Sequence, residues 1–164
     1  YLQPTNYLFK DEAGQLIIDN RSLFVSKEAY HSFVGYAHGQ LHRMTHGAFL
    51  GYMGEKRKRL VAEFGYDCKN AAHLIRLLRM GIEYLTDGTL RVFREDAHEL
   101  KEIKTGKWSL ERVQREAGDL FKLAQEAYVR SPLPPSPNYS EAERLLIKIL
   151  RTYFSLKTED DSGR

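Results

Sequence analysis

The chain has 164 residues with a net charge of +3 at neutral pH, a length that allows one domain with a real hydrophobic core. The sequence has no run of about 18 apolar residues and no signal-peptide layout. It therefore predicts neither a membrane-spanning helix nor a membrane partner. The single Cys68 cannot form an internal disulfide, which predicts a reducing, cytoplasmic setting.

The first half of the chain is predicted to hold one short strand and three helices. Residues 5–9 have the pattern of a strand, and residues 14–26 are ambiguous between a strand pair and a helical turn. Helices are expected over residues 27–46 after a Ser26 cap, over residues 55–64 before Gly65, and from Asp67 to the Asp87-Gly88 turn.

The second half adds a short strand and three more helices. Residues 89–94, TLRVFR, indicate a strand, and four prolines between residues 131 and 140 predict an extended linker. Helices are expected over residues 97–105, from a Ser109 cap to about Arg130, and from a Ser140/Glu143 capping box to about Leu156. The predicted fold class is mainly α, a helical bundle-like domain over residues 26–156 with a few short strands and a frayed tail over residues 157–164.

The most informative stretch is KNAAHLIRLLRMGIEYL, residues 69–85, which is a polar stripe on an otherwise apolar helix. At about 100° per residue, Lys69, His73, Arg76 and Glu83 fall within a sector about 80° wide. A helix of this kind is packed on most sides and opens one edge onto something polar. Two cations and a histidine at that edge favour an anion such as a triphosphate.

A second explanation of the same stripe stays open at this point. The polar side chains could form buried salt bridges, with Lys69 or Arg79 paired to acids elsewhere in the fold. Spacing alone does not separate the two explanations.

The preceding helix carries a second set of candidates. Tyr36, Gln40 and Arg43 lie at i, i+4 and i+7 on one face and could contact the same ligand. Gly35 and Gly39 lie four residues apart in that helix, where each glycine lowers helix stability. They suggest that a backbone or a ligand approaches the helix closely there. Tight helix–helix packing is slightly favoured over substrate contact as the reason.

Two further patterns are weaker. Lys56, Arg57, Lys58 and Arg59 point around most of their helix, so a solvated face is favoured over a nucleic-acid patch. His38, His42 and His46 recur at helical spacing, but no cysteine or carboxylate joins them as metal ligands usually do, and we predict no metal site.

Residues 69–90 resemble the predicted nucleotidyltransferases of the DNA polymerase beta superfamily, of the RNA-ligase-associated type found in bacteria and phages. The family pattern has a lysine, a histidine four residues on, then RLLRMG and a glycine turn, matched here by Lys69, His73, residues 76–81 and Asp87-Gly88. Upstream, the family's GYA-x-x-Q is matched by Gly35, Tyr36, Ala37 and Gln40. The resemblance covers about residues 7–154.

The resemblance implies a Mg²⁺-dependent transfer of a nucleotidyl group from an NTP to an acceptor such as RNA. In that family an N-terminal α/β core carries a Gly-Ser motif and an acidic pair for Mg²⁺, and a helical half completes the nucleotide cleft. This sequence matches the helical half, and residues 1–25 would be the end of the core and a connector. No Gly-Ser motif with a following acidic pair is found, so the catalytic residues and Mg²⁺ ligands would lie in a missing domain or subunit.

Within this implied role, Lys69 and Arg76 would contact phosphates and His73 would orient a phosphate or the acceptor. Tyr36, Gln40 and Arg43 would face the same cleft. Two alternatives from the residues themselves stay open: a non-enzymatic RNA- or DNA-binding helical module, and a structural domain in which the stripe is an internal ion network.

Overall fold

The structure, a computed structural model, describes residues 11–46 and 54–161. Over these residues it is built from helices and contains no strand. The α-helices are α1 (Glu12–Asp19), α2 (Ala29–His46), α3 (Glu55–Phe64), α4 (Cys68–Asp87), α5 (Ala97–Lys104), α6 (Leu110–Arg130) and α7 (Tyr139–Asp161), with a 3-10 helix at Arg21–Phe24. The predicted mainly α class is confirmed.

The predicted short strands are the part of the fold class that was wrong. Residues 89–94 form an irregular loop between α4 and α5, in which Thr89 N donates to Asp87 Oδ1 at 2.9 Å and Arg94 Nη1 donates to Glu83 Oε2 at 2.7 Å. Side-chain bonds of this kind take the place of a strand ladder. Residues 14–26 are helical over most of their length, and the strand predicted at 5–9 lies outside the described residues.

Local caps fix most of the helix ends. Asp67 accepts from Asn70 N at 3.1 Å at the start of α4, and Ser109 accepts from Arg112 N at 3.2 Å at the start of α6. Gly65 and Gly88 close α3 and α4 in the left-handed conformation. These four predicted signals are confirmed.

The last helix begins and ends differently from the prediction. Asn138 Oδ1 accepts from Glu141 N at 3.2 Å, and Tyr139 is the first helical residue, so Ser140 lies inside the helix and the predicted capping box was wrong. The helix also continues to Asp161, five residues beyond the predicted end at Leu156 and into the tail predicted to fray.

The chain divides into two compact units. In the first, α7 packs against α1 and the 3-10 helix, and Asn138 N donates to Leu23 O at 2.9 Å. The second unit comprises α2 to α6, residues 27–133. The predicted helical domain over 26–156 would place α7 with α2 to α6, whereas in the structure α7 groups with α1.

The core of the second unit surrounds α4, which packs against α2, α5 and α6. Leu74, Ile75 and Leu78 of α4 are fully buried with Ile103 of α5 and Val113 of α6. Each such side chain stabilises the fold by about 1.5–3 kcal/mol through removal from water. No helix within the described ranges is long and apolar enough to cross a membrane.

Two glycines of this unit lie at close contacts, which leave little room for a methyl group at Gly81 and none at Gly106. A Cβ at Gly81 of α4 would lie 3.1 Å from Phe33 Cβ of α2, and a Cβ at Gly106 would lie 2.3 Å from Phe64 Cδ1, at a φ of +77°. By contrast, nothing lies within 4 Å of a Cβ built at Gly35 or Gly39. The tight packing predicted at those two residues was therefore wrong, and α2 approaches α4 at Gly81 instead.

Candidate functional site

The first part of the polar stripe on α4 opens onto a groove. Lys69, His73 and Arg76, all three predicted from the sequence, line a concave surface of about 640 Å³ with residues of α5 and of the loop before it. The remaining lining residues are Ala72, Arg94, Ala97, Leu100, Lys101 and Lys104. We call this surface the basic groove.

The charges of the basic groove are of one sign. None of the described residues that line it is acidic. Lys69, Arg76, Lys101 and Lys104 are exposed, and over the described ranges no ion pair joins any of them to a carboxylate. Cations that converge on a concave surface without counter-charges raise the local concentration of anions and favour their binding.

His73 lies in the middle of this surface and is half-buried. Its Nδ1 is 2.9 Å from Nη2 of Arg76, a nitrogen that can only donate, so Nδ1 accepts and the ring proton belongs on Nε2. Burial, together with the charge of Arg76, holds the pKa of His73 below its ordinary value. A neutral imidazole with a free Nε2–H can donate to a phosphate oxygen.

Of the α2 candidates, only Tyr36 reaches His73. The two rings meet edge to face with centroids 5.7 Å apart, and Tyr36 is 50% exposed. Gln40 is buried and Arg43 is exposed, and neither is among the described residues that line the basic groove. The structure thus places three of the six predicted nucleotide-binding residues in the basic groove, and a fourth, Tyr36, contacts His73 without being among the described lining residues.

The other end of the stripe is an ion network, as the structural explanation predicted for Arg79. Arg79, whose side chain is 18% exposed, donates to Asp96 at 2.9 Å, to Glu99 at 2.5 Å and to Glu116 at 2.8 Å. Although its burial opposes the charge, these three bonds raise the pKa of Arg79. One arginine therefore ties α4 to α6 and to α5 with the loop before it.

Arg94 extends this network to Glu83. Its side chain is 11% exposed and binds Glu83 Oε2 at 2.7 Å and Asp96 Oδ1 at 2.8 Å. Burial favours the neutral acid, but hydrogen bonds from Arg94 and Arg79 outweigh it and hold the pKa of Asp96 below its ordinary value. Glu83, at the far end of the predicted stripe, belongs to this structural network.

The predicted nucleic-acid patch on α3 has a partly structural role. Arg57 binds Asp67 through Nε at 2.7 Å and Asn70 through Nη2 at 2.6 Å, which fastens α3 to the start of α4. Lys58 pairs with Glu55 at 2.9 Å, and Arg59 is exposed. The side chain of Lys56 lies outside the described ones.

Sequence reasoning missed three cations of the basic groove: Arg94, Lys101 and Lys104. Arg94 had been assigned to a strand, and the two lysines to a polar helix with no stated role. They join the groove only because α5 packs on α4. Lys101 and Lys104 are one turn apart, and this i, i+3 spacing was the one signal that could have placed them on a common face.

The described residues hold no group of three or more His, Cys, Asp or Glu side chains that could bind a metal. His38, from the histidine series on α2, stacks on Phe121 with ring centroids 4.0 Å apart. The side chain of His46 is outside the described ones.

No family model, no characterised protein and no solved structure matches the chain. The geometry of the basic groove is therefore the main basis for a functional proposal, beside the sequence resemblance.

Proposed function

We propose that the second unit binds the phosphates of a nucleoside triphosphate in the basic groove. It would do so as the nucleotide-binding helical part of a polymerase-beta-like nucleotidyltransferase, in a reducing, cytoplasmic setting. The single observation that carries this proposal is the convergence of unpaired Lys69, Arg76, Lys101 and Lys104 on one concave surface without an acidic lining residue among those described.

The roles of the lining residues follow from their chemistry. Arg76 and Lys69 would hold phosphate oxygens by charge-assisted hydrogen bonds, and Lys101 and Lys104 would hold them from the α5 side. His73 would donate its Nε2 proton, because its Nδ1 is occupied by Arg76. Arg94 is already bound to two carboxylates. It would contribute to the electrostatic potential of the groove rather than contact a phosphate directly.

The Mg²⁺ that the resemblance implies does not fit the described residues, which hold no suitable ligand group. We therefore derive no step of nucleotidyl transfer from this chain. Its residues would bind and orient the triphosphate, and the metal ligands would belong to a catalytic domain or subunit outside the described residues.

The test is the affinity of the chain for ATP and for inorganic tripolyphosphate, measured by isothermal titration calorimetry. Lys69→Ala and Arg76→Ala should each weaken both ligands by roughly tenfold, because a hydrogen bond to a charged group contributes about 1.5–3 kcal/mol and 1.4 kcal/mol is tenfold. Lys122→Ala is the matched control, since Lys122 is an exposed lysine of α6 outside the groove. In a complete transferase, Lys69→Ala should also cut transfer strongly.

Three outcomes separate the proposal from its alternatives. Equal affinity of Lys69→Ala and Lys122→Ala for both ligands would contradict the phosphate site. Tight, steeply salt-dependent binding of RNA or DNA with no measurable ATP binding would favour the non-enzymatic nucleic-acid module. Unfolding of Lys69→Ala, seen by circular dichroism, would favour a structural ion network at that residue.

A further inference from the structure

A second concave surface is lined by α4, by α6 and by the loop between α4 and α5. It encloses about 660 Å³, a size typical of small-molecule sites, and includes Arg94, which also lines the basic groove. The described lining residues are Arg79, Ile82, Glu83, Arg91, Phe93, Arg94, Glu95, Asp96, Leu120 and Leu123. We call it the Phe93 pocket.

Phe93 is the most conspicuous residue of this pocket. It is 92% exposed, the highest value among the exposed large hydrophobic residues described. Its loop is nevertheless held at both ends, by Arg91 with Asp87 at 2.8 Å and by Arg94 with Glu83 at 2.7 Å. The exposed ring forgoes the free energy of burial, and binding residues are disproportionately found on loops that a rigid scaffold holds in place.

The charges of the Phe93 pocket differ from those of the basic groove. Its three arginines, Arg79, Arg91 and Arg94, are each bound to carboxylates. Over the described ranges Glu95 has no ion-pair partner and is exposed. A phosphate would therefore find no unpaired cation here and would meet a carboxylate, so the pocket suits an uncharged ring.

The floor of the pocket is apolar. Ile82 of α4 and Leu120 and Leu123 of α6 line it, and Leu123 is 49% exposed. An aromatic ligand could lie over these side chains and stack on Phe93, while Glu95 could accept a hydrogen bond from an amino group at its edge. Stacking on an aromatic side chain is the sequence-tolerant way in which proteins hold a nucleobase.

We infer that the Phe93 pocket binds a nucleobase next to the phosphates held in the basic groove. The inference rests on the proposed nucleotide-binding function for its ligand class, and the shared Arg94 makes the two surfaces neighbours. The base could belong to the mononucleotide whose phosphates lie in the groove or to the last nucleotide of an RNA strand. Both sources present the same ring to Phe93.

The experiment compares Phe93→Ala with the parent chain for three ligands: tripolyphosphate, ATP and a short single-stranded oligoadenylate. We expect affinity for tripolyphosphate to be unchanged and affinity for a base-bearing ligand to fall at least fivefold, because tripolyphosphate has no ring to stack. Phe154→Ala is the matched control, an exposed phenylalanine of α7 in the other unit. Phe93→Trp should retain base binding, and its added fluorescence should be quenched by the ligand.

The outcomes distinguish both the source of the base and the two proposals. A loss for ATP assigns the base to the nucleotide in the groove, and a loss for oligoadenylate alone assigns it to a strand end. Unchanged affinity for ATP and oligoadenylate in Phe93→Ala would overturn the nucleobase site and leave the phosphate site intact. Failure of the phosphate site would instead appear as Lys69→Ala binding tripolyphosphate as well as the parent does.

Discussion

At the scale of single residues, the pair His73 and Arg76 makes the basic groove sensitive to protons. In the free protein, burial and the neighbouring guanidinium hold the pKa of His73 below its ordinary value, which favours the neutral imidazole. The other titratable or charged groups around it are Tyr36 of α2, Lys69 of α4, Arg94 of the loop, and Lys101 and Lys104 of α5. All of these except Tyr36 are cations, and the charge that lowers the pKa of His73 beside burial is that of Arg76.

The negative charge of a polyphosphate bound at the proposed site should raise the pKa of His73, so that binding takes up a proton. Affinity for tripolyphosphate should therefore rise, relative to a His73→Gln variant, as the pH falls from 8 to 6. The gain is at most about tenfold for each unit that binding adds to the pKa of His73. Titration calorimetry in buffers of different ionisation enthalpy would measure the proton uptake directly. Parallel pH profiles for the two proteins would contradict this linkage.

The sequence predicted which side chains share an edge where one helix supplied the geometry. Lys69, His73 and Arg76 share the edge of α4 that the helical repeat assigns to them, and they line one groove. Gln40, placed on a common face with Tyr36 by the same repeat, is only 3% exposed. Whether a position on a helix faces core or solvent depends on the neighbouring helices, and the sequence of α2 alone does not contain that information.

At the scale of helices, the polar stripe of α4 lines a groove in its first part and forms ion pairs in its later part. Its first three turns present the basic groove, and its last turns hold Arg79 and Glu83 in the ion network. The structural explanation of the polar stripe therefore holds for its later part, and the ligand explanation stays a proposal for its first part. Capping residues fixed the ends of α4 locally and were predictable, whereas Arg94 contacts α4 only through the tertiary path of the loop.

The contact of α2 with α4 gives a prediction about stability. Gly81→Ala should lower the free energy of unfolding by about 1–3 kcal/mol, because its methyl group would be 3.1 Å from Phe33 Cβ, an atom attached to the backbone of α2. Gly39→Ala, also in a helix but with open space around the new methyl, should raise it by about 0.5–1 kcal/mol. Urea denaturation of the two variants measures both values. The same sign for both would contradict the packing at Gly81.

At the scale of the whole molecule, the chain divides into two compact units, each with its own helix contacts. Apolar burial around α4 dominates the second unit, and Arg79 adds a polar tie between three of its segments. Removal of the Arg79 guanidinium would leave three carboxylates close together without the cation that binds all of them. The network was only partly predictable, since the sequence indicated that Arg79 needs acids but not which ones.

Arg79→Met should lower the free energy of unfolding at pH 7 by about 1–3 kcal/mol. This is less than for a fully buried pair, because Glu99 and Glu116 are each about a third exposed. The exposed pair of Arg144 with Glu141 supplies the control, and Arg144→Met should change stability by less than about 0.5 kcal/mol.

The acid dependence of the same variant follows from Asp96. Its folded pKa lies below its unfolded value, so its contribution is present above about pH 4 and is lost as the pH falls through the folded pKa. Urea melts at pH 7 and pH 3 should therefore show the difference between parent and Arg79→Met shrinking at the lower pH. An equal difference at both values would show that Arg79 acts through packing.

Gly106 is a position at which the structure tolerates little change in sequence. Its left-handed backbone disfavours any side chain, and the ring of Phe64 fills the space that a side chain would need. Four exposed cations share the proposed phosphate site, so a change at one of them leaves most of the positive charge of the groove in place. We therefore expect distant descendants of this sequence to share glycine at position 106 more strictly than lysine at position 69, and a profile anchored on structural glycines would detect them first.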